Sequence, residues 1–186
     1  MAIETIPHLV TADELLELSS DGFYGELIRG VLCESMPPGV DHAQIAAEFC
    51  AELRNFVKSR RLGRVLAGDP GVKVERDPDT VRAPDVAFIS ASRLPLDQRN
   101  PGYSEVLPEL VVEVKSPSDS RDQVNDKAEM WLRHGVLLVW AAFPDERTVE
   151  AHHAEQGVVI YRADDELDGM DVLPGFTCAV APLFEA

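Results

Sequence analysis

The chain has 186 residues, enough for one domain with its own core, and its 45% hydrophobic content is ordinary for a globular protein. Lys and Arg number 17 against 33 Asp and Glu, a formal net charge of −16 that favours cation binding and opposes diffuse attraction to nucleic acid. Any partnership with nucleic acid must therefore rest on a local basic patch or on bound metal. Cys33, Cys50 and Cys178 are widely spaced and form no CxxC pair, so free thiols in a reducing cytoplasm are expected. Glu4 stands where a secretory leader carries basic residues, and the longest apolar run, Val136 to Phe143, is far short of the ~20 residues that span a bilayer. A single cytoplasmic domain over residues 1–186, with no membrane partner, is the expectation.

Thr11-Ala12-Asp13-Glu14 has the form of a capping box and opens a short helix to about Ser19. Tyr24 to Ser35 reads as a hairpin, with Glu26-Leu27-Ile28 and Val31-Leu32-Cys33 as strands around Arg29-Gly30. Asp41 is placed to cap a longer helix in which Ile45, Phe49, Leu53, Phe56 and Val57 form one apolar stripe. Lys58, Arg60 and Arg61 crowd the end of that helix. With Arg64 they make the densest basic cluster in the chain, a pattern that also suits a solvated helix end. Strands are predicted at Arg64–Ala67, Gly71–Glu75 and Arg82–Ile89, followed by a long polar loop from Ser90 to Leu107.

Pro108 to Ser118 is rich in β-branched residues and bounded by proline, which predicts a strand. Alternation puts Leu110, Val112 and Val114 on one face and Val111, Glu113 and Lys115 on the other. Glu113 and Lys115 then lie roughly 7 Å apart beside a buried layer, where charges are costly without partners. A strand with one wet face and a cross-strand ion pair gives the same pattern. Asp119 to His134 follows as a helix with Val124, Ala128, Trp131 and Leu132 inward, then a buried strand from Val136 to Phe143. A hairpin of Thr148–His153 with Val158–Arg162 and an edge-packing tail complete an α/β domain with a mixed sheet. His152 and His153 are adjacent on a strand and face opposite ways, a poor metal pair.

Pro84-Asp85-Val86-Ala87-Phe88 places a second carboxylate inside the predicted strand before Glu113, with small residues, Ala83 and Ala87, around it. Sequential strands often lie side by side, in which case Asp85 and Glu113 converge, with Lys115 just beyond. Two carboxylates and a main-chain carbonyl such as that of Val114 suit a hard divalent ion, Mg²⁺ or Mn²⁺. Such an ion makes a bound water more acidic and neutralises phosphoryl charge, while Lys115 is placed to orient the water. No Walker loop, GxGxxG, GxSxG or HExxH motif offers another chemistry.

Pro84-Asp85 followed by Glu113-Val114-Lys115 resembles the PD-(D/E)XK nuclease motif. Tyr24 to Gly30, His42, Arg82 to Phe88, Pro108 to Ser118, Asp126-Lys127 and Leu173-Pro174-Gly175-Phe176 occur in an order that resembles the Uma-two family, whose members are described as restriction endonucleases. The resemblance implies a restriction-endonuclease-like mixed β-sheet flanked by helices with added β-hairpins. It also implies Mg²⁺-dependent phosphodiester hydrolysis in nucleic acid, DNA above all, and a homodimer. Carried over, Asp85 and Glu113 become metal ligands and Lys115 the catalytic lysine. Glu26 becomes an auxiliary acid, and His42 and Lys127 further site residues. Many relatives rely on the helix lysine matching Lys127, and this chain has both. Each of these also has a plain reading: Glu26 as hairpin support, His42 as a helix start, Lys127 as a surface lysine paired with nearby acids. The net charge keeps open a catalytically silent nuclease-fold dimer acting as a binding or regulatory module.

Overall fold

The computed structural model of the chain describes residues 8–185, which form two compact units. One unit combines the described part of Met1–Pro37 with Gly71–Ala83 and Asn100–Glu105. It holds α1 (Ala12–Ser20), β1 (Gly25–Ile28), β2 (Val31–Glu34), β4 (Val72–Glu75) and β5 (Thr80–Arg82). Thr11 and Glu14 form the expected reciprocal capping box, satisfying N–H groups that a helix start leaves open. The sheet order is β2-β1-β5-β4, antiparallel throughout. Arg29 and Gly30, both with positive φ, make the tight turn between β1 and β2. Ala12, Leu15, Leu27 and Val81 are the core of this unit. Asp79 ties helix to sheet by accepting the Ala12 N–H at 2.8 Å.

The other unit comprises Pro38–Pro70, Pro84–Arg99 and the described part of Val106–Ala186. Its main sheet joins β3 (Gly63–Ala67), β6 (Val86–Ser90), β7 (Leu110–Val114), β8 (Leu138–Phe143), β9 (Thr148–His153) and β10 (Gly157–Tyr161) in the order β10-β9-β8-β7-β6-β3. Only the β7–β8 pair is parallel, and α3 (Arg121–Arg133) makes the crossover between them. Both central strands are buried along their whole length, the expected signature of strands covered on two faces. On one face α2 (Val40–Arg60) sends Ile45, Phe49, Leu53 and Val57 against Val112, Val114, Leu138 and Trp140. Trp140 packs between Phe49 and Phe176, with ring centroids 6.1 and 5.5 Å away. On the other face Val124 of α3 meets Ala141 and Phe143. A small pair, β11 (Glu166–Asp168) with β12 (Thr177–Ala179), and a 3-10 turn at Ala181–Phe184 form the tail, which was expected as an edge.

Two expectations change. The strand predicted over Arg82–Ile89 is two strands, broken at Ala83–Asp85 where the chain passes from one unit to the other. Pro84, with no N–H to give a ladder, sits in the break, so Asp85 precedes β6 rather than lying within it. The cap of α2 is Gly39 with no side-chain bond, not Asp41, which lies in the first turn where its charge meets the helix dipole.

Leu53 is fully buried at the middle of the α2 contact. Leu53→Ala is expected to cost about 2–5 kcal/mol, read as a lower urea midpoint with an unchanged m-value.

Candidate active site

Glu113 is the last but one residue of β7 and is 6% exposed. Its Oε1 accepts the indole N–H of Trp131 at 2.7 Å, and its Oε2 lies 3.7 Å from Nζ of Lys127. Lys127 and Trp131 are four residues apart on α3 and so share the helix face turned to the sheet. Trp131 and Lys127 thus bring the carboxylate a hydrogen bond and a countercharge from a single helix.

Asp85 reaches the same strand end from the other side of the β6–β7 pair. Its Oδ2 accepts the backbone N–H of Val114 at 2.6 Å, so its carboxylate touches the peptide that joins Glu113 to Val114. The same oxygen lies 3.5 Å from Nε2 of His42 in the first turn of α2. His42 is buried, and its Nδ1 has no hydrogen-bond partner among the described residues. Burial pushes the Asp85 carboxyl up, to about 7. The Val114 N–H and the Lys127 ammonium pull it down, while Asp69 and Asp119 push it further up. Left to the protein alone, this carboxylate is short of positive charge.

Four of the residues expected at the site, Asp85, Glu113, His42 and Lys127, are linked through these contacts. Lys115 is not drawn into them. It follows the end of β7, and its ammonium pairs with Asp145 in the β8–β9 turn at 3.3 Å and with the Ser116 carbonyl at 3.4 Å. Glu26, on β1, accepts the Ala83 N–H at 2.8 Å and pairs with Arg82 at 3.2 Å, all within its own unit. Among the described residues no group of three or more His, Cys, Asp or Glu stands ready to hold a metal. The donors at this strand end are two carboxylates and the Val114 carbonyl, which suits an ion that keeps several waters, as Mg²⁺ does, and not a closed protein cage. No described helix is long and apolar enough to cross a membrane.

Trp131 and Asp145 escaped the sequence reading as site neighbours. Trp131 carries the periodic signature of a core position, which it also is. The signal that it does more is its indole N–H, which needs a partner when buried, at one helical turn from Lys127. Asp145 lies in a turn whose residues are generic, and nothing local marks it as the partner of Lys115.

Comparison with known proteins bears on this arrangement. A family model named Uma2, described as "Putative restriction endonuclease", matches residues 12–181. The chain belongs to the Uma2 family. As a Uma2 protein it has the mixed α/β, restriction-endonuclease-like fold. A crystal structure described as that of "a putative nuclease belonging to DUF820 from Anabaena variabilis ATCC 29413" superposes with a TM-score of 0.77 at 23% identity. The match covers 94% of this chain and 97% of that one. No curated protein matches.

The raised Asp85 carboxyl fixes a sign for pH dependence. Between its ordinary value of 3.8 and about 7 the folded state holds a proton that the unfolded chain releases. This group's contribution to stability is therefore lost as pH rises through that window, at up to ~1.4 kcal/mol per pH unit. In chelator-containing buffer, Asp85→Asn should raise the melting temperature at pH 8 relative to wild type and leave the two alike at pH 4.

Proposed function

We propose that this Uma2 protein is a metal-dependent endonuclease that hydrolyses phosphodiester bonds in nucleic acid, DNA in the first place. Asp85, Glu113 and the Val114 carbonyl hold Mg²⁺, or Mn²⁺ in its stead. The observation that carries the reading is the hydrogen bond by which Asp85 takes the Val114 N–H, which sets its carboxylate against the peptide that follows Glu113. Asp85, whose carboxyl burial raises to about 7, stands just before the strand next to that of the buried Glu113, and a divalent ion there supplies charge that favours its ionised form.

When bound, such an ion neutralises charge on a phosphoryl oxygen and lowers the pKa of a water in its shell. The chain's own groups do the rest. Lys127, 3.7 Å from Glu113, is placed to steady charge developing on the phosphate. It takes the role of working lysine in preference to Lys115, whose charge is spent on Asp145. His42 orients Asp85, its Nε2 lying 3.5 Å from the Oδ2 that accepts the Val114 N–H. The homodimer is kept in this reading. It is supported by β10, an edge strand with Val158, Val159 and Ile160 all exposed and its outer backbone open to a second copy.

The net charge of −16 favours a second reading, a catalytically silent nuclease fold that binds or regulates a partner. Cleavage of plasmid and oligonucleotide DNA in Mg²⁺ separates the two. Asp85→Ala and Glu113→Ala are expected to lose activity by ~10²-fold or more, and to lose the thermal stabilisation that Mg²⁺ gives wild type. Equal products from wild type and Asp85→Ala would end the nuclease reading. Lys127→Ala is expected to slow cleavage more than Lys115→Ala, and the reverse order would return the role to Lys115. Val159→Lys is expected to shift the sedimenting species from dimer to monomer.

A further inference from the structure

Away from the carboxylates, the end of α2 and the strand β3 enclose a depression of about 380 Å³. Arg54, Lys58, Arg61 and Arg64 line it, and no acidic residue does. Arg54, Lys58 and Arg61 follow one another at spacings of four and three, so they share one face of the helix end. None of the three makes an ion pair with a described residue. Arg64 is already engaged. Its guanidinium holds the carbonyls of Pro95 and Leu96 at 2.8 and 3.2 Å and also that of Gln98, fixing the following loop as a wall.

The bland explanation, cations answering the negative end of a helix dipole, covers Lys58 and Arg61 but not Arg54. The dipole's effect falls off within the last turn, and Arg54 stands six residues before the helix end. Like charges one turn apart repel, and these three pair with no acid among the described residues. Val57, Val65 and Leu66 give the depression an apolar floor between the cations. Its size is that of a ligand cleft, which runs from ~300 to 1,000 Å³.

We propose that this cationic groove binds the sugar-phosphate backbone of the nucleic-acid strand that Asp85 and Glu113 act on. The inference rests on the nuclease reading and adds to it the place where the strand is gripped. Helix rise supplies the distance. Arg54, Lys58 and Arg61 follow His42, which lies against Asp85, by 12, 16 and 19 residues, hence about 18, 24 and 28 Å along the helix axis. At ~3.4 Å per nucleotide that is roughly five to eight nucleotides of stacked strand. Phosphates at that remove from the bond to be cut meet Arg54, Lys58 and Arg61, which solves the problem the net charge poses for an acidic chain on an anionic substrate.

The test measures binding of a fluorescent 20-nucleotide strand and its duplex by anisotropy. It uses the full-length chain with Asp85→Asn, from 50 to 200 mM KCl. Arg54→Glu with Lys58→Glu is compared with a charge-matched control, Arg99→Glu with Arg133→Glu, on exposed residues elsewhere. Arg61→Ala serves as a milder groove variant. The groove pair should weaken binding at least ~10-fold and flatten the salt dependence by about two units of slope, and the control should do neither. Arg61→Ala should flatten it by about one. Equal losses in groove pair and control, or unchanged binding in both groove variants, would overturn the groove while Mg²⁺-dependent, Asp85-dependent cleavage by wild type left the nuclease reading standing. A wild-type chain that neither binds nor cleaves nucleic acid would overturn both.

Discussion

The 2.6 Å hydrogen bond from the Val114 N–H to Asp85 is the contact on which the site depends. It joins the break before β6 to the end of β7, and it does so with main chain, so the position of Asp85 follows from sheet register and not from a flexible side chain. Everything else in the site is arranged about that peptide. Glu113 is delivered by the same strand, Lys127 and Trp131 by the helix that follows it, and His42 by the helix across the other face. A buried carboxylate with one amide donor remains unfavourable as an anion, which is why its proton is held so far above the usual range. The fold thus keeps a destabilised group in place by surrounding it with elements that are themselves well packed, the pattern expected where function and stability compete.

Much of this was readable in the chain. The apolar stripe of α2, the capping box at Thr11, the hairpin at Arg29-Gly30 and the fully buried β8 follow from periodicity and local chemistry, which act over a few residues. The ordered motifs pointed to the family and the fold. What local signals do not contain is which of two lysines turns toward the acids. Lys115 shares the nominal face of Glu113, but it lies past the end of the strand, where alternation no longer governs direction, and Asp145 on a neighbouring turn takes it. Lys127 looked like any helix lysine until packing set it one turn from Trp131. The break at Ala83–Asp85 was hidden for a similar reason. The residues on both sides favour strand, Pro84 alone marks the break locally, and the passage of the chain between two sheets is not written in any of them.

Charge is distributed with a purpose that net values conceal. Several of the chain's cations are spent on structure: Arg121 holds Glu146 and Glu150, Arg93 holds Glu109, and Arg64 holds the loop after β6. Lys73 and Arg76 converge on Glu105. Against that background Arg54, Lys58 and Arg61 at the end of α2 pair with no acid among the described residues, and an overall balance of −16 says little about the field at any one face.

Neither unit is a continuous stretch of chain. The first is assembled from a leading piece, a middle piece that brings β4 and β5, and a short third piece ending at Glu105. During synthesis the first hairpin must therefore wait for about 46 further residues to be made, roughly 2–9 s at ordinary elongation rates, before β5 arrives to pair with β1. In that interval Leu27 and its neighbours have no complete core to enter, so chaperone capture of the nascent chain should centre on the leading hairpin. For the same reason no single proteolytic cut or simple truncation can release this small unit whole.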